Sequence, residues 1–122
     1  MAKIMVVDDE PDTVDLVKLV LETEGYETSV AYSGEEALEK IRMDKPDLVL
    51  LDIMMPHMDG WAVRKEIIDN AKTKDIPIIM LTAKAQPIDK MIGLHVVGVE
   101  DYITKPFGRY ELIDSVKKVL GE

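Results

Sequence analysis

Short apolar runs alternate along this chain with longer stretches in which apolar residues recur every three or four positions. The central run is residues 47–52, where four apolar residues lead to the carboxylate of Asp52. Pro46 and Pro56 leave too little room for a helix, so a strand buried on both faces of a sheet is the better interpretation. Similar runs predict four more strands, at residues 3–7, 28–31, 77–81 and 102–104.

Five helices are predicted between and after these strands. Pro11 suits the first turn of the first helix, Ser33 and Glu36 form a capping pair for the second, and Asp59 can cap the third. Pro87 opens the fourth helix, which Gly93 weakens. The predicted apolar stripes are Val14, Val17, Val20 and Leu21; Ala37, Leu38 and Ile41; Ala62, Val63, Ile67 and Ile68; Ile88, Met91 and Ile92; and Leu112, Ile113, Val116, Val119 and Leu120.

This alternation of strands and helices predicts the α/β class, with right-handed βαβ units, a doubly wound parallel sheet and helices on both faces. Ligands of such open sheets bind at the carboxyl ends of the strands, where the strand order reverses. If the order is 2-1-3-4-5, that crevice lies between the first and third strands. Asp8, Asp9 and Asp52, each at a carboxyl end, would then meet there.

Length and composition narrow the function classes. A chain of 122 residues suits one domain, residues 1–122, and the absence of cysteine excludes disulfides and thiolate metal sites. The net charge of -9 repels phosphate backbones and anionic lipids, so we expect no direct nucleic-acid or membrane binding. No apolar run approaches the ~20 residues that span a bilayer. We therefore expect a cytoplasmic protein.

The acidic cluster is a candidate Mg²⁺ site. Three converging carboxylates repel one another, and a hard divalent cation with oxygen ligands and bound waters relieves that repulsion. Asp9 and Asp52 are the predicted direct ligands, and Asp8 binds directly or through water. The alternative is that Asp9 only caps the first helix while Asp8 is solvated.

Lys105 and Thr82 follow the last and fourth strands, so an ammonium and a hydroxyl would stand beside the acidic cluster. A carboxylate next to Mg²⁺ can attack an activated phosphorus while such groups stabilise the charge that develops on its oxygens. Asp52 would then carry an acyl phosphate. The alternatives are an exposed turn lysine and an ordinary capping hydroxyl.

Five short motifs follow one another in a fixed order. They are Val7-Asp8-Asp9-Glu10, Asp52 with the loop Met55-Pro56-His57-Met58-Asp59-Gly60, Leu81-Thr82-Ala83, Asp101-Tyr102 and Lys105-Pro106-Phe107. With these motifs the chain resembles response-regulator receiver domains over essentially its full length. The resemblance implies the flavodoxin-like, CheY-like sheet order 2-1-3-4-5.

The resemblance also implies a function. A histidine kinase or phosphotransfer protein would pass a phosphoryl group from phosphohistidine to Asp52 in a Mg²⁺-dependent reaction, and Met54 would add a backbone carbonyl to the metal. Lys105 and Thr82 would assist, and slow self-catalysed hydrolysis would follow, so the chain would not be an enzyme acting on a separate substrate. Thr82 would move toward the phosphoryl group and Tyr102 would rotate inward from an exposed position. The face of the predicted fourth helix, fifth strand and fifth helix would then control a downstream partner.

The sequence departs from the receiver-domain pattern at two places, and two other functions are considered as alternatives. Val97-Gly98-Val99 is bulkier than is common before the fifth strand, and Tyr110 stands where dimerising relatives often carry a basic residue, so we expect a monomer. A metal-dependent phosphohydrolase would need a second acid two residues after Asp52, where Met54 stands. A flavin carrier would need a glycine- or hydroxyl-rich loop in place of Asp8-Asp9-Glu10.

Overall fold

The computed structural model describes residues 2–83 and 98–122. Within these ranges the chain forms a five-stranded parallel sheet and four helices. In chain order the elements are β1 (Lys3–Val7), α1 (Pro11–Thr23), β2 (Glu27–Ala31), α2 (Gly34–Met43), β3 (Leu48–Asp52), α3 (Gly60–Asp69), β4 (Ile78–Ala83), β5 (Asp101–Lys105) and α4 (Arg109–Leu120). The predicted fourth helix, with Pro87, Ile88, Met91 and Ile92, lies outside the described residues, so α4 is the final helix of the sequence prediction.

The strand order is β2-β1-β3-β4-β5, which confirms the predicted 2-1-3-4-5 arrangement. All neighbouring strands are parallel, and the register pairs Val7 with Leu51 and Asp52 with Leu81. β3 is buried along its whole length, as its apolar run predicts, whereas β2 is only partly buried because it lies at the edge of the sheet.

Hydrophobic side chains pack on both faces of the sheet. One core lies beneath α2 and α3 and contains Met5, Val49, Leu51 and Met80. The other lies beneath α1 and α4 and contains Ile4, Val6, Leu48 and Leu50. Alternate residues of β1 and β3 therefore enter opposite cores, which fixes the register of the sheet, since a slip by one residue would exchange the two faces.

The helix ends follow the predicted capping chemistry. Pro11 opens α1, the Ser33 hydroxyl accepts a hydrogen bond from the Glu36 amide at 3.1 Å, and Asp59 Oδ1 accepts from the Ala62 amide at 2.9 Å. The Glu36 carboxylate reaches one residue further back than a capping box requires and accepts from the Tyr32 amide at 2.7 Å.

The helical stripes match the prediction except at the margins. Val14, Val17, Val20 and Leu21 of α1 are all buried. Ile68, expected in the α3 stripe, is 38 % exposed because it is the last apolar residue before the helix ends at Asp69. None of the helices in the described ranges is long and apolar enough to pass through a bilayer.

Candidate functional site

Three carboxylates converge at the carboxyl edge of the sheet. Asp8 and Asp9 directly follow β1, and Asp52 ends β3, the strand beside it. One oxygen of each carboxylate lies within 4.8 Å of the others. Asp8 is fully buried and Asp52 is 3 % exposed, whereas Asp9 is partly exposed. The structure thus brings together the three acids that the sequence assigned to one crevice.

Lys105 reaches this cluster from the end of β5. Its Nζ donates a hydrogen bond to Asp8 Oδ2 at 2.6 Å and lies 3.4 Å from Asp52 Oδ1. Lys105 is therefore not a solvated turn residue. The peptide bond that joins it to Pro106 is cis.

Glu10 is a member of the site that the sequence analysis did not assign. Its carboxylate lies 3.5 Å from Lys105 Nζ, and its backbone N–H donates to Asp8 Oδ1 at 2.9 Å. Both oxygens of Asp8 are therefore engaged, one by Glu10 and one by Lys105. The signal for this role is the position of Glu10 two residues after Asp8, the spacing of an Asx turn.

Burial and charge set the protonation of the site. Burial raises the pKa of Asp52 from 3.8 to about 6, the Asp8 charge adds to the rise, and Lys105 together with the Met54 backbone hydrogen bond opposes it. Burial disfavours the Lys105 ammonium, but the hydrogen bond to Asp8 and the charges of Asp52 and Asp8 outweigh it and raise the pKa of Lys105. Lys105 therefore does not fully offset the combined effect of burial and of Asp8 on Asp52.

These residues fit a hard divalent cation. All three side chains offer carboxylate oxygens, which Mg²⁺ prefers. Burial disfavours the ionised form of Asp52, and a nearby cation would favour it. Asp9, the most exposed of the three acids, leaves room for bound water. The Met54 backbone carbonyl stays a predicted ligand.

The loop between β3 and α3 is held tightly against Asp52. The Gly60 amide donates to the Ile53 carbonyl at 2.8 Å, and a Cβ added at Gly60 would overlap the Asp52 carbonyl oxygen and approach Ile53 Cα to 2.9 Å. Only glycine fits there, for steric reasons that the sequence pattern does not contain. His57 in the same loop has a φ of 70°, in the left-handed region.

Thr82 lies where the sequence placed it, at the end of β4. It follows Leu81, which pairs with Asp52 across the sheet, and its side chain is 1 % exposed. The hydroxyl thus belongs to a strand that borders the acidic cluster, on the side from which Lys105 approaches along β5.

Tyr102 differs from the expected exposed position. Its side chain is 4 % exposed and belongs to the core that contains Met80 and Val99. Met80 pairs with Tyr102 in the register of β4 and β5, so the ring lies on the core side of the sheet. The expectation of an exposed Tyr102 is wrong for this conformation, because residues of β4 and the preceding segment accommodate the ring inside.

A groove of about 400 Å³ opens beside Asp52 and Lys105. The end of β5 and the following turn form one side, and α1 forms the other, with Thr13 and the exposed Leu16. Met54, which is 62 % exposed, and Phe107 complete an apolar rim around the polar centre. The cluster is thus accessible to a reactant from the α1 side.

Comparisons with known proteins agree with this geometry. The family model for the response regulator receiver domain matches residues 4–117. The chain is similar to a candidate response regulator from Chloroflexus aurantiacus J-10-fl, with 37 % identity, 99 % of this chain and 98 % of that chain covered, and a TM-score of 0.93. It is similar to the chemotaxis protein CheY4 of Vibrio cholerae, with 34 % identity, 98 % coverage of both chains and a TM-score of 0.89.

The fold also matches part of a longer protein. NtrX from Brucella abortus has 35 % identity and a TM-score of 0.89, and the match covers 98 % of this chain but 27 % of NtrX. The match over residues 4–117 identifies the domain family, and the sheet order, the acidic cluster and Lys105 agree with it. This chain belongs to the response regulator receiver domain family of two-component signal transduction.

Proposed function

We propose that Asp52 is the phosphoacceptor of this receiver domain and takes its phosphoryl group from the phosphohistidine of a histidine kinase or phosphotransfer protein. The observation that supports the proposal is the position of the nearly buried Asp52 carboxylate at the carboxyl edge of the sheet. It lies 3.4 Å from Lys105 and within 4.8 Å of Asp8 and Asp9. The domain proposed for this role is residues 1–122.

In the transfer, an Asp52 carboxylate oxygen attacks the phosphorus atom. A P–O bond forms, the P–N bond of phosphohistidine breaks, and the imidazole nitrogen retains the electron pair. Mg²⁺ held by Asp8, Asp9, Asp52 and the Met54 carbonyl would neutralise charge on the phosphoryl oxygens. Lys105 contributes a fixed ammonium and Thr82 a hydroxyl to the same oxygens.

Hydrolysis of the acyl phosphate returns the site to its starting state. Water attacks the phosphorus, inorganic phosphate leaves, and Asp52 is regenerated as a carboxylate. The chain thus promotes its own phosphorylation by the phosphohistidine donor and its own dephosphorylation by water. Met54 is 62 % exposed at the rim and would screen the site from solvent.

The signal would be carried by the position of two side chains. Thr82 moves toward the phosphoryl group, and Tyr102 exchanges between the buried position described above and an exposed one. A shift of that equilibrium from 1:99 to 99:1 requires about 5.5 kcal/mol of differential interaction. The β5–α4 surface, with the predicted fourth helix beside it, is the proposed contact for a downstream effector protein, and the proposed oligomeric state is a monomer.

Intact-mass analysis after incubation with acetyl phosphate and Mg²⁺ tests the acceptor. We expect the wild type to gain the mass of one phosphoryl group, Asp52→Asn to gain none, and Lys105→Ala to gain less. Asp75→Asn is the matched control, because Asp75 is exposed in the segment before β4 and engages in no ion pair within the described residues. Equal labelling of Asp52→Asn and the wild type would refute the assignment.

A further inference from the structure

Within the described ranges, some basic residues of this acidic chain form ion pairs with carboxylates and others do not. The chain has 15 basic and 24 acidic residues, and most basic side chains in the described ranges pair with a carboxylate. The basic side chains that form neither an ion pair nor a hydrogen bond within residues 2–83 and 98–122 are Arg42, Lys45, Lys72 and Lys74. All four side chains are exposed, so water solvates their charges when no partner is bound.

Three of these four cations line one cavity. It measures about 440 Å³ and lies between the end of α2 and the turn after α3. The buried Ile41 and Thr73 line it together with the exposed residues Arg42, Lys45, Asn70 and Lys72. A cavity of this size is in the range of small-molecule sites.

The cavity is remote from the acidic cluster. α2 ends just before β3 begins, and α3 ends before β4, so both helix ends lie at the amino edge of the sheet. Asp52 ends β3 at the carboxyl edge. The cations are therefore separated from Asp8, Asp9 and Asp52 by the length of the sheet, and the two sites carry opposite charge.

Three of the carboxylates near these cations in sequence are already engaged, whereas the exposed Glu39 and Asp75 form no ion pair within the described residues. Asp44 pairs with the Lys3 ammonium, and Asp47 Oδ2 accepts from the Lys3 backbone N–H at 2.8 Å. Asp69 pairs with Lys65 at 2.6 Å. An adjoining cavity shares Arg42 but is lined by Glu66 and Asp69, so an anion is favoured only on the side of Lys45 and Lys72.

The Thr73 hydroxyl and the Asn70 side-chain oxygen are also engaged, so the cations are the main groups that could recognise an anion. The Thr73 hydroxyl donates to the Ile67 carbonyl at 2.7 Å, and Asn70 Oδ1 accepts from the Lys72 amide at 2.9 Å. Cations at the ends of helices also offset the helix dipole, which would account for Arg42 in the last turn of α2. Dipole compensation does not require that the side chains share a cavity.

We propose that this cavity binds a small phosphomonoester of nucleotide size. The Arg42 guanidinium can hold two phosphate oxygens side by side, and the ammonium groups of Lys45 and Lys72 supply the remaining charge. The aliphatic floor formed by Ile41 and the Thr73 methyl group would cover the uncharged part of the ligand. A bare phosphate ion would leave most of the 440 Å³ unfilled.

The test is a titration of isotopically labelled protein with adenosine monophosphate, followed by two-dimensional amide NMR in low-salt buffer with a chelator. We expect shifts confined to residues 41–45 and 70–73. Arg42→Gln combined with Lys72→Gln should weaken binding by about tenfold or more, which corresponds to about 1.4 kcal/mol. The charge-matched control, Lys18→Gln combined with Lys74→Gln, removes two cations outside the cavity and should bind within about twofold of the wild type.

Adenosine and inorganic phosphate are the probe controls, and each should bind more weakly than the monophosphate. Binding of adenosine as tight as that of the monophosphate, equal binding by the two double variants, or shifts centred on Asp52 and Lys105 would each overturn the proposal. Should the Arg42/Lys72 variant lose its folded spectrum, the single exposed change Lys72→Glu gives the same test. Acetyl phosphate labelling of all variants stays at the wild-type level, so a failure here leaves the phosphoacceptor assignment intact.

Discussion

At the scale of single residues, the proposed reactivity of Asp52 requires a charge that its burial disfavours. The proposed attack on phosphorus needs the ionised carboxylate, yet burial and the neighbouring Asp8 raise the pKa of Asp52 to about 6. Lys105 restores part of the balance at 3.4 Å. The folded protein therefore carries an electrostatic penalty at neutral pH that a cation at the acidic cluster would reduce.

This penalty predicts a pH dependence of stability in metal-free buffer. The folded pKa of about 6 lies above the ordinary value of 3.8, so the folded state binds the proton more tightly than the unfolded state. The contribution of Asp52 to the free energy of unfolding is fully present below pH 4 and is lost as the pH rises through 6. Asp52→Asn should gain stability over the wild type across this window, by at most about 3 kcal/mol.

Urea denaturation of both proteins at several pH values, with a chelator present, measures the difference. Asp75→Asn serves as the control and should follow the wild type at every pH. A stability difference between Asp52→Asn and the wild type that does not change from pH 4 to pH 7 would contradict the prediction.

Gly60 leads to a second prediction at this scale. A methyl group at Gly60 would collide with the backbone of Asp52 and Ile53, which cannot yield without moving the proposed acceptor. Gly60→Ala should lower the free energy of unfolding by about 2 kcal/mol or more and reduce labelling by acetyl phosphate. Gly108→Ala is the control, since nothing lies within 4 Å of its added Cβ. Thermal unfolding and intact mass measure both effects, and equal behaviour of the two variants would argue against a close fit at Gly60.

At the scale of elements, the sequence predicts what depends on periodicity and local caps. The buried stripe of α1, the fully apolar β3, the polar β2 and the caps at Ser33 and Asp59 all follow from neighbouring residues. The convergence of Asp8, Asp9 and Asp52 also follows, once the strand order is taken from the resemblance.

Contacts that depend on three-dimensional fit could not be predicted from the sequence. The ion pair between Glu10 and Lys105 joins residues at opposite ends of the chain, and the close approach of Gly60 to Asp52 depends on the path of a loop. The burial of Tyr102 depends on its packing in the core that contains Met80, which no pattern of apolar residues specifies.

Helix α2 protects the open edge of the sheet. The Lys40 ammonium donates to the Val30 carbonyl at 2.6 Å and pairs with Glu36 at 3.0 Å, and Glu36 accepts from the Tyr32 amide at 2.7 Å. Two side chains of one helix thus occupy backbone groups in and just after β2. An edge strand left without such cover can pair with another chain.

Removal of the Glu36 contacts that cover the β2 edge gives a prediction for helix α2. Glu36→Ala loses the hydrogen bond to Tyr32 and the ion pair to Lys40, and should lower the free energy of unfolding by about 1 kcal/mol. Glu39→Ala is the matched control on the same helix, because Glu39 is exposed and forms no ion pair within the described residues. Chemical denaturation compares the two, and an equal loss would show that the contacts of Glu36 do not stabilise the protein.

At the scale of the whole molecule, the proposed metal site would link cation binding to folding. The three acids lie at the carboxyl ends of two different strands, so the cluster forms only when the sheet is assembled. An ion that binds the folded state and not the unfolded chain stabilises the fold by mass action, by about 2.7 kcal/mol at a concentration 100 times its Kd.

We therefore expect Mg²⁺ to raise the Tm of the wild type in a concentration-dependent way. Asp9→Asn should lose most of this increase, since it removes one proposed ligand without emptying the core. Asp12→Asn, an exposed acid in the first turn of α1, should retain it. Differential scanning calorimetry in MgCl₂, with matched ionic strength in KCl, measures the effect, and equal increases for the two variants would place the ion elsewhere.

The contacts of Glu36 and Lys40 have a consequence beyond stability. A foreign polypeptide that tried to add a strand to β2 would first have to displace side chains that are tethered to the same molecule and so return quickly. Growth of stacked cross-β assemblies from this side is thereby hindered.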